Sequence, residues 1–237
     1  MTVTPWAYAI AAAAANVLGA AAVTWRSRWS VAALETLVAL SAGFMISVSL
    51  TDIFPDAIAR SGEAGATAAL IGYLLVHFTQ HTLAPHFHFG EETHHVTERV
   101  GVSALVGLLL HTFVDGVAIA SAFMVSHALG VLVFLAIVLH KLPEGLAISS
   151  LFLAAGAGRK RALYAGVALG ASTLLGVLVT GRVATLAMYG LGLSAGVTLY
   201  VGASNLVPEF QGKHGRLQLA FFVGCGLYFL ARSAVRM

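Results

Sequence analysis

The stretch IVLHKLPEGLAISSLF (residues 137–152) places polar and helix-breaking residues inside an otherwise apolar run. Within five positions it holds an imidazole, an ammonium, a proline and a carboxylate: His140, Lys141, Pro143 and Glu144. The apolar run around them is long enough to cross a bilayer as a helix. A charged side chain at the bilayer centre costs roughly 2.5–3.5 kcal/mol even on the most lenient insertion scales. We therefore expect these residues to carry a function.

The composition of the whole chain indicates a membrane protein. Of its 237 residues, 59% are hydrophobic and only 10% are charged, and the mean hydropathy is +0.89. A soluble domain has about 25% charged residues. Apolar runs of roughly 20 residues recur along the chain, and they are continuous and not alternating, which excludes a transmembrane barrel. The predicted fold is an all-α polytopic membrane protein.

Eight transmembrane spans are predicted, joined by short polar turns. They cover about residues 4–24, 31–58, 64–85, 100–124, 128–153, 162–182, 185–208 and 216–233. The first span is expected to be a membrane helix and not a cleaved signal, because no basic residues precede it. No connector is long enough for a separate domain, so we expect residues 1–237 to form a single transmembrane transporter domain with a histidine-bearing loop at 86–99.

Basic residues predict the orientation of the chain in the membrane. Eight of them lie in loops after the odd-numbered spans and four on the opposite side, two of which are Arg232 and Arg236. The positive-inside rule then puts both termini outside the cytoplasm. The short loops are typical of a multi-pass protein of the bacterial inner membrane. Charges are too few for a nucleic-acid partner, and a homodimer in the lipid bilayer is left open.

Spans two and seven end in similar motifs, SLTDIFPDAI and YVGASNLVPEF. In both motifs a polar residue is followed by two apolar residues, a proline and a carboxylate, namely Asp52, Pro55 and Asp56 in one and Asn205, Pro208 and Glu209 in the other. These spans run in opposite directions, as inverted-topology repeats require. The pattern predicts that spans 1–3 and 6–8 are inverted repeats around spans 4–5. The alternative is two unrelated proline-terminated helix ends.

Spans four and five carry matching polar pairs. His111 and Asp115 are four positions apart, as are His140 and Glu144, so each pair shares one helix face. Antiparallel packing of these neighbours brings His111 level with Glu144 and Asp115 level with His140. Two imidazoles and two carboxylates then form a roughly tetrahedral shell that suits Zn²⁺ or a similar ion. Pro143 is expected to kink span five and free a carbonyl group. Structural hydrogen bonding alone is the alternative.

At these residues the chain resembles the ZIP (Zrt-/Irt-like) family of divalent metal transporters, prokaryotic type. The resemblance rests on HTFVDG in span four, HKLPEG in span five, IFPDA in span two, NLVPEF in span seven and the loop PHFHFGEETHH. It implies eight spans with both termini outside. It also implies that the primary transport-site ligands are His111, Asp115, His140 and Glu144. The predicted function is transport of a divalent transition metal, zinc foremost, toward the cytoplasm.

Two departures from the family pattern predict a single metal ion. Many members have Asn and another oxygen ligand for a second metal where this chain has Thr112 and Lys141. Span six offers no acidic residue to complete a second site. We infer that the Lys141 ammonium stands where a second cation would bind.

Further polar residues outline a path for the ion. Asp52 and Asp56, at the outer end of span two, are candidates for the entrance, with helix-end solvation as the alternative. Candidates for the exit are His77, His81, Asn205 and Glu209, with interfacial hydrogen bonding as the alternative for the histidines. The loop histidines His86, His88, His94 and His95 are candidates for metal capture.

The donor atoms do not decide which divalent ion binds, and they also allow two functions other than transport. They would also suit Cd²⁺, Fe²⁺, Mn²⁺, Co²⁺ or Ni²⁺. An intramembrane zinc metalloenzyme is one alternative, but it needs an open coordination position and a general base, while both carboxylates here are used as ligands. A metal sensor that binds but never releases its ion across the membrane is the other. The leading expectation is a transporter that is not an enzyme.

Overall fold

The structure is a computed structural model that describes residues 3–25, 31–83, 98–213 and 215–236, and all regular secondary structure in these ranges is helical. The α-helices are α1 (Val3–Trp25), α2 (Val31–Val48), α3 (Phe54–Ser61), α4 (Glu63–Phe78), α5 (Glu98–Val125), α6 (His127–Ala154), α7 (Arg159–Thr180), α8 (Ala184–Tyr200) and α9 (Gly215–Arg236). Three π-helical turns follow α2, α4 and α8, at Ser49–Ile53, Thr79–Leu83 and Val201–Leu206.

Seven helical segments in the described part of the chain are long and apolar enough to cross a membrane, which confirms an all-α polytopic membrane protein. The remaining predicted span, at 64–85, corresponds to α4 and the π-helical turn after it. The α-helical part is 16 residues long, shorter than the roughly 20 that a span needs, and the turn adds 5. Helix α5 begins at Glu98, inside the predicted histidine loop. The loop residues 84–97 lie outside the described residues.

The helices pack in two matching sets. Helix α1 packs on α6 as α7 packs on α5, and α4 packs on α8 as α9 packs on α2. Two further contacts, α1 with α7 and α5 with α6, join the matching helices to each other. This pairing is the one expected when spans 1–3 and 6–8 are inverted repeats around spans 4–5.

Glycines at the closest helix contacts follow the same pattern. A Cβ atom added at any of four glycines would collide with a backbone carbonyl of the partner helix. For α2 and α9 the pairs are Gly43 with Phe221 and Gly224 with Leu40, and for α4 and α8 they are Gly72 with Leu193 and Gly196 with Ala69. Small residues let membrane helices approach this closely. The packing between repeats is therefore fixed by reciprocal glycine contacts.

The two π-helical turns before the Pro-carboxylate motifs are equivalent. The Phe54 N–H donates to the Ser49 carbonyl, and the Val207 N–H donates to the Gly202 carbonyl, five residues earlier in each case. A proline follows one position later in both repeats, where it cannot donate a backbone hydrogen bond. The separation of 153 positions between Ser49 and Gly202 also separates Gly43 from Gly196. The motifs are thus one local structure used twice, and not two unrelated helix ends.

The reciprocal contacts predict that Gly43→Ala destabilises the protein. The new methyl group would collide with the Phe221 carbonyl on α9, and overpacking of this kind costs about 1–3 kcal/mol. Thermal unfolding in detergent should show a lower midpoint. Gly226→Ala, on α9 with open space around the new methyl group, is the matched control and should be neutral or slightly stabilising. Equal midpoints for the two variants would contradict the packing role of Gly43.

Candidate metal centre

The four predicted ligands lie together between α5 and α6. One donor atom from each lies within 4.8 Å of the others, and all four side chains are buried: His111, Asp115, His140 and Glu144. His140 Nε2 is 3.5 Å from Asp115 Oδ2, and His111 Nε2 is 3.9 Å from Glu144 Oε1. The cross-helix pairings expected from antiparallel packing are therefore both present.

The histidine of α6 is oriented by its own helix. His140 Nδ1 is 2.9 Å from the Ala136 carbonyl oxygen, which can only accept, so Nδ1 carries the proton. The Nε2 atom then presents a lone pair to Asp115 Oδ2, which is also an acceptor. Within the described chain His140 Nε2 and Glu144 Oε1 have no hydrogen-bond partner. Buried acceptors without donors are costly, and a cation placed among these atoms would satisfy them.

Lys141 balances part of the negative charge at the site. Its side chain is fully buried, and its Nζ atom lies 2.5 Å from Asp115 Oδ2 and 2.9 Å from Glu144 Oε2. The ammonium therefore bridges the carboxylates of two helices. With neutral imidazoles, two carboxylates and one ammonium leave the site with a single net negative charge, which favours a cation.

Thr112 does not add a ligand beside the lysine. Its hydroxyl group donates to the Leu109 carbonyl at 3.2 Å, within its own helix. On the neighbouring helix α7, the hydroxyl groups of Ser172 and Thr173 likewise donate to backbone carbonyls. The hydroxyl groups near Lys141 are thus already hydrogen bonded to backbone carbonyls.

Asn16 of α1 is a site residue that the sequence analysis missed. The side chain is fully buried. In the amide orientation that its neighbours require, the nitrogen donates to Glu144 Oε2 at 3.2 Å and to the Lys141 carbonyl at 2.6 Å. A signal was available, because Asn16 stands alone in the apolar run AIAAAAANVLGAAAV. Gly145 lets α1 come this close, since a Cβ atom there would collide with the Asn16 carbonyl.

The proline of α6 frees a backbone carbonyl group. Helix α6 continues through Pro143, which leaves the Leu139 carbonyl without its usual helical donor. That carbonyl accepts a hydrogen bond from the Ser41 hydroxyl of α2 at 3.1 Å. The freed carbonyl is thus hydrogen bonded to Ser41, which lines the same cavity as Pro143.

A cavity of about 460 Å³ reaches the site from one end of the helix bundle. Three of the predicted ligands line it: His111, His140 and Glu144. The four residues predicted for the exit line it as well: His77, His81, Asn205 and Glu209. Polar residues that the sequence analysis did not single out complete the wall: Ser41, Tyr73, Gln80, Tyr200 and Ser204.

The two histidines of the cavity form a pair with a tyrosine. The rings of His77 and His81 stack with centroids 4.0 Å apart. The Tyr200 hydroxyl group lies 3.4 Å from the Nδ1 atom of each. Tyr200 is the first residue of the motif YVGASNLVPEF, but the sequence analysis gave it no role.

The residues predicted for the entrance lie away from this cavity. Asp52 is 2% exposed and accepts hydrogen bonds from Tyr228 (2.5 Å), Arg232 (3.1 Å) and Arg236 (2.6 Å), all on α9. Asp56 is half-buried one turn later in α3. The partners of Asp52 could not be found by spacing, because they lie more than 170 residues away in the sequence. The predicted capture residues His86, His88, His94 and His95 lie outside the described residues.

Comparison with known proteins agrees with the motifs. The family model described as ZIP Zinc transporter matches residues 79–232. A comparison with curated proteins gave no match. The family match spans more than half of the chain and contains both polar pairs of α5 and α6, as well as the Pro-carboxylate motif after α8. The chain belongs to the ZIP zinc transporter family, whose members carry divalent metal ions across membranes.

Proposed function

We propose that this divalent metal transporter moves Zn²⁺ toward the cytoplasm through a midplane site made by His111, Asp115, His140 and Glu144. The observation that carries the proposal is the convergence of four buried donor atoms within 4.8 Å at the inner end of a cavity. Two nitrogen and two oxygen donors form a shell typical of zinc. Cd²⁺, Fe²⁺, Mn²⁺, Co²⁺ and Ni²⁺ are further candidate substrates, because none of them excludes such donors.

The site holds one metal ion, with Lys141 in the place of a second. Its ammonium keeps the two carboxylates together when the metal is absent, since their repulsion would otherwise be unscreened at low dielectric. The same charge repels an arriving cation. Binding is therefore weaker than it would be without the lysine, and release is faster, as transport requires. The position of Nζ within 2.9 Å of both carboxylates supports this role.

The path leads from the site along the cavity to His77, His81, Asn205 and Glu209, which serve the metal on its way out. The basic residues in the loops after odd-numbered spans support a cytoplasmic location for this end. Asp52 and Asp56 mark the opposite end, where the metal arrives, and the histidines of the loop at 86–99 capture metal on the cytoplasmic side.

The orientation with both termini outside is supported by a detail of α9. Arg232 and Arg236 count against the positive-inside assignment, but both pair with Asp52 at 3.1 Å and 2.6 Å, so their charge is partly offset. We place the protein in a bacterial inner membrane. Assembly as a homodimer remains a prediction.

Transport is expected to require all four ligands. His111→Ala, Asp115→Ala, His140→Ala and Glu144→Ala should each lower zinc uptake into reconstituted vesicles at least about tenfold, because each removes one of the four donor atoms that hold the ion. Uptake measured over a panel of divalent ions will also rank the substrates.

His127→Ala is the matched control for these variants. His127 lies on the same helix as His140 but is exposed at its beginning, so uptake should be unchanged. Full uptake by His140→Ala and Glu144→Ala would remove α6 from the site. Metal binding without any flux would favour a sensor, and metal-dependent hydrolysis of lipid or peptide would favour an enzyme.

Removing the lysine charge is expected to tighten metal binding. Lys141→Met keeps most of the side-chain volume but leaves two carboxylates unpaired, so the metal-free protein should unfold at a lower temperature. Zinc should bind at least about tenfold more tightly, since one repelling charge at close range is gone. Calorimetric titration and thermal unfolding with and without zinc measure both effects.

Lys213→Met provides the comparison for this test. Lys213 pairs with Glu35 at 2.9 Å in an exposed position, where the loss of an ion pair is nearly neutral. Weaker zinc binding by Lys141→Met than by the natural protein would contradict the proposed role. Two adjacent metal peaks in anomalous scattering from the natural protein would do the same.

A further inference from the structure

The two ends of the bundle differ although the repeats match. The cavity opens at one end, where Leu108 of α5 and Asn205 after α8 line it. Leu108 and Ile137 are equivalent positions in the repeat, because they are 29 residues apart, as are the equivalent ligands His111 and His140. Ile137 of α6 is only 1% exposed. The inverted repeat therefore predicts an equivalent cavity at the opposite end of the bundle. In the structure that position is closed, because Ile137 is buried.

Apolar packing fills the closed end. Helix α6 begins at that end, so Ile137 lies between it and His140. Around this level the side chains of Val48, Ile53 and Val133 are at most 1% exposed. A metal ion arriving from that end would have to pass through this packed layer, and the apolar side chains named here offer it no ligand atoms.

A polar cluster at the same end joins the two repeats. We call the four residues Asp52, Tyr228, Arg232 and Arg236 the Asp52 clamp. The separation of 152 positions that relates Gly72 to Gly224 also relates Gln80 to Arg232. Gln80 lines the open cavity, whereas Arg232 binds Asp52. The arginine thus lies at the closed end of the bundle, whereas its counterpart Gln80 lies in the open cavity at the other end.

The clamp ties α9 to the π-helical turn after α2. Arg232 and Arg236 contact Asp52 Oδ1, and the Tyr228 hydroxyl donates to Oδ2. The Tyr228 hydroxyl also contacts Thr51, and its ring is fully buried. A carboxylate so enclosed is held by charge-assisted hydrogen bonds that are stronger than neutral ones. Moving this turn away from α9 requires these bonds to break. It would also move Ile53, which lies in the turn and belongs to the packed layer, while the Gly43 and Gly224 contacts deeper between α2 and α9 stay in place.

We propose that the Asp52 clamp is a gate that keeps the end opposite the cavity closed, and that breaking it opens a second route to the same buried donor atoms. The proposal rests on the proposed function, since a transporter must expose its site to both sides. Two conformations separated by a modest free energy are enough, and the clamp sets their ratio by stabilising the one seen here.

The test compares two cysteine positions related by the repeat. Leu108→Cys and Ile137→Cys are each introduced with Cys225→Ser, which removes the single natural cysteine. A water-soluble maleimide is applied to the purified, metal-free protein in detergent. Leu108→Cys should react quickly and Ile137→Cys slowly. Adding Asp52→Asn should raise the Ile137→Cys rate at least about tenfold, by a shift toward the conformation that is open at that end.

A second variant and a control make the test decisive. Arg232→Gln combined with Arg236→Gln breaks the clamp from α9 and should have the same effect as Asp52→Asn. Arg182→Ala removes an exposed arginine from the turn between α7 and α8, at the same end of the bundle, and should change nothing.

Three results would overturn the gate. They are fast labelling of Ile137→Cys with the clamp intact, unchanged labelling in clamp variants that still label normally at Leu108→Cys, and an equal increase with Arg182→Ala. Labelling needs no metal. A failure of the gate is therefore distinguishable from a failure of the proposed transport, which the vesicle uptake experiments measure.

Discussion

Two carboxylates held by one ammonium inside a bilayer are the constraint on which the rest of this structure depends. Asp115 and Glu144 lie on different helices, and only a group between them can offset their repulsion where water is excluded. Lys141 supplies that group, and the neighbouring helices pack so that the remaining polar atoms of the site also find partners. Asn16 donates to Glu144, which requires α1 close to α6, and Gly145 makes that approach sterically allowed. The charge arrangement and the packing therefore have to be satisfied together.

The internal symmetry explains both what is shared by the two halves and what is special to one. Shared features are backbone features, such as the glycine contacts and the π-helical turns. Two differences between the halves are side chains at equivalent positions. Lys141 is the counterpart of Thr112, as Arg232 is of Gln80. One pair sets the charge of the metal site, and the other sets which end of the bundle is closed. A symmetric scaffold has thus been made directional by very few substitutions.

Much of this could be predicted from the sequence, because membrane helices are long and their polar residues are few. The spacing of His111 and Asp115, repeated in α6, was sufficient to bring four donor atoms together. What could not be predicted depends on contacts across the whole chain. Asp52 resembled an exposed entrance residue, since nothing local signals that α9 encloses it. The hydrogen bond from Ser41 to the Leu139 carbonyl could not be predicted either, because it depends on how α2 packs against α6.

The glycine contacts also divide the helices into three groups. Contacts of glycine with a backbone carbonyl join α1, α5, α6 and α7 to one another, join α2 to α9, and join α4 to α8. Where the groups meet, Gly190 of α8 approaches α5 through the side chains of Val117 and Ser121 and not through its backbone. Side chains can repack where backbones cannot. Sliding of the group that holds α5 and α6 along α8 would then move all four ligands together, so the coordination shell would keep its geometry.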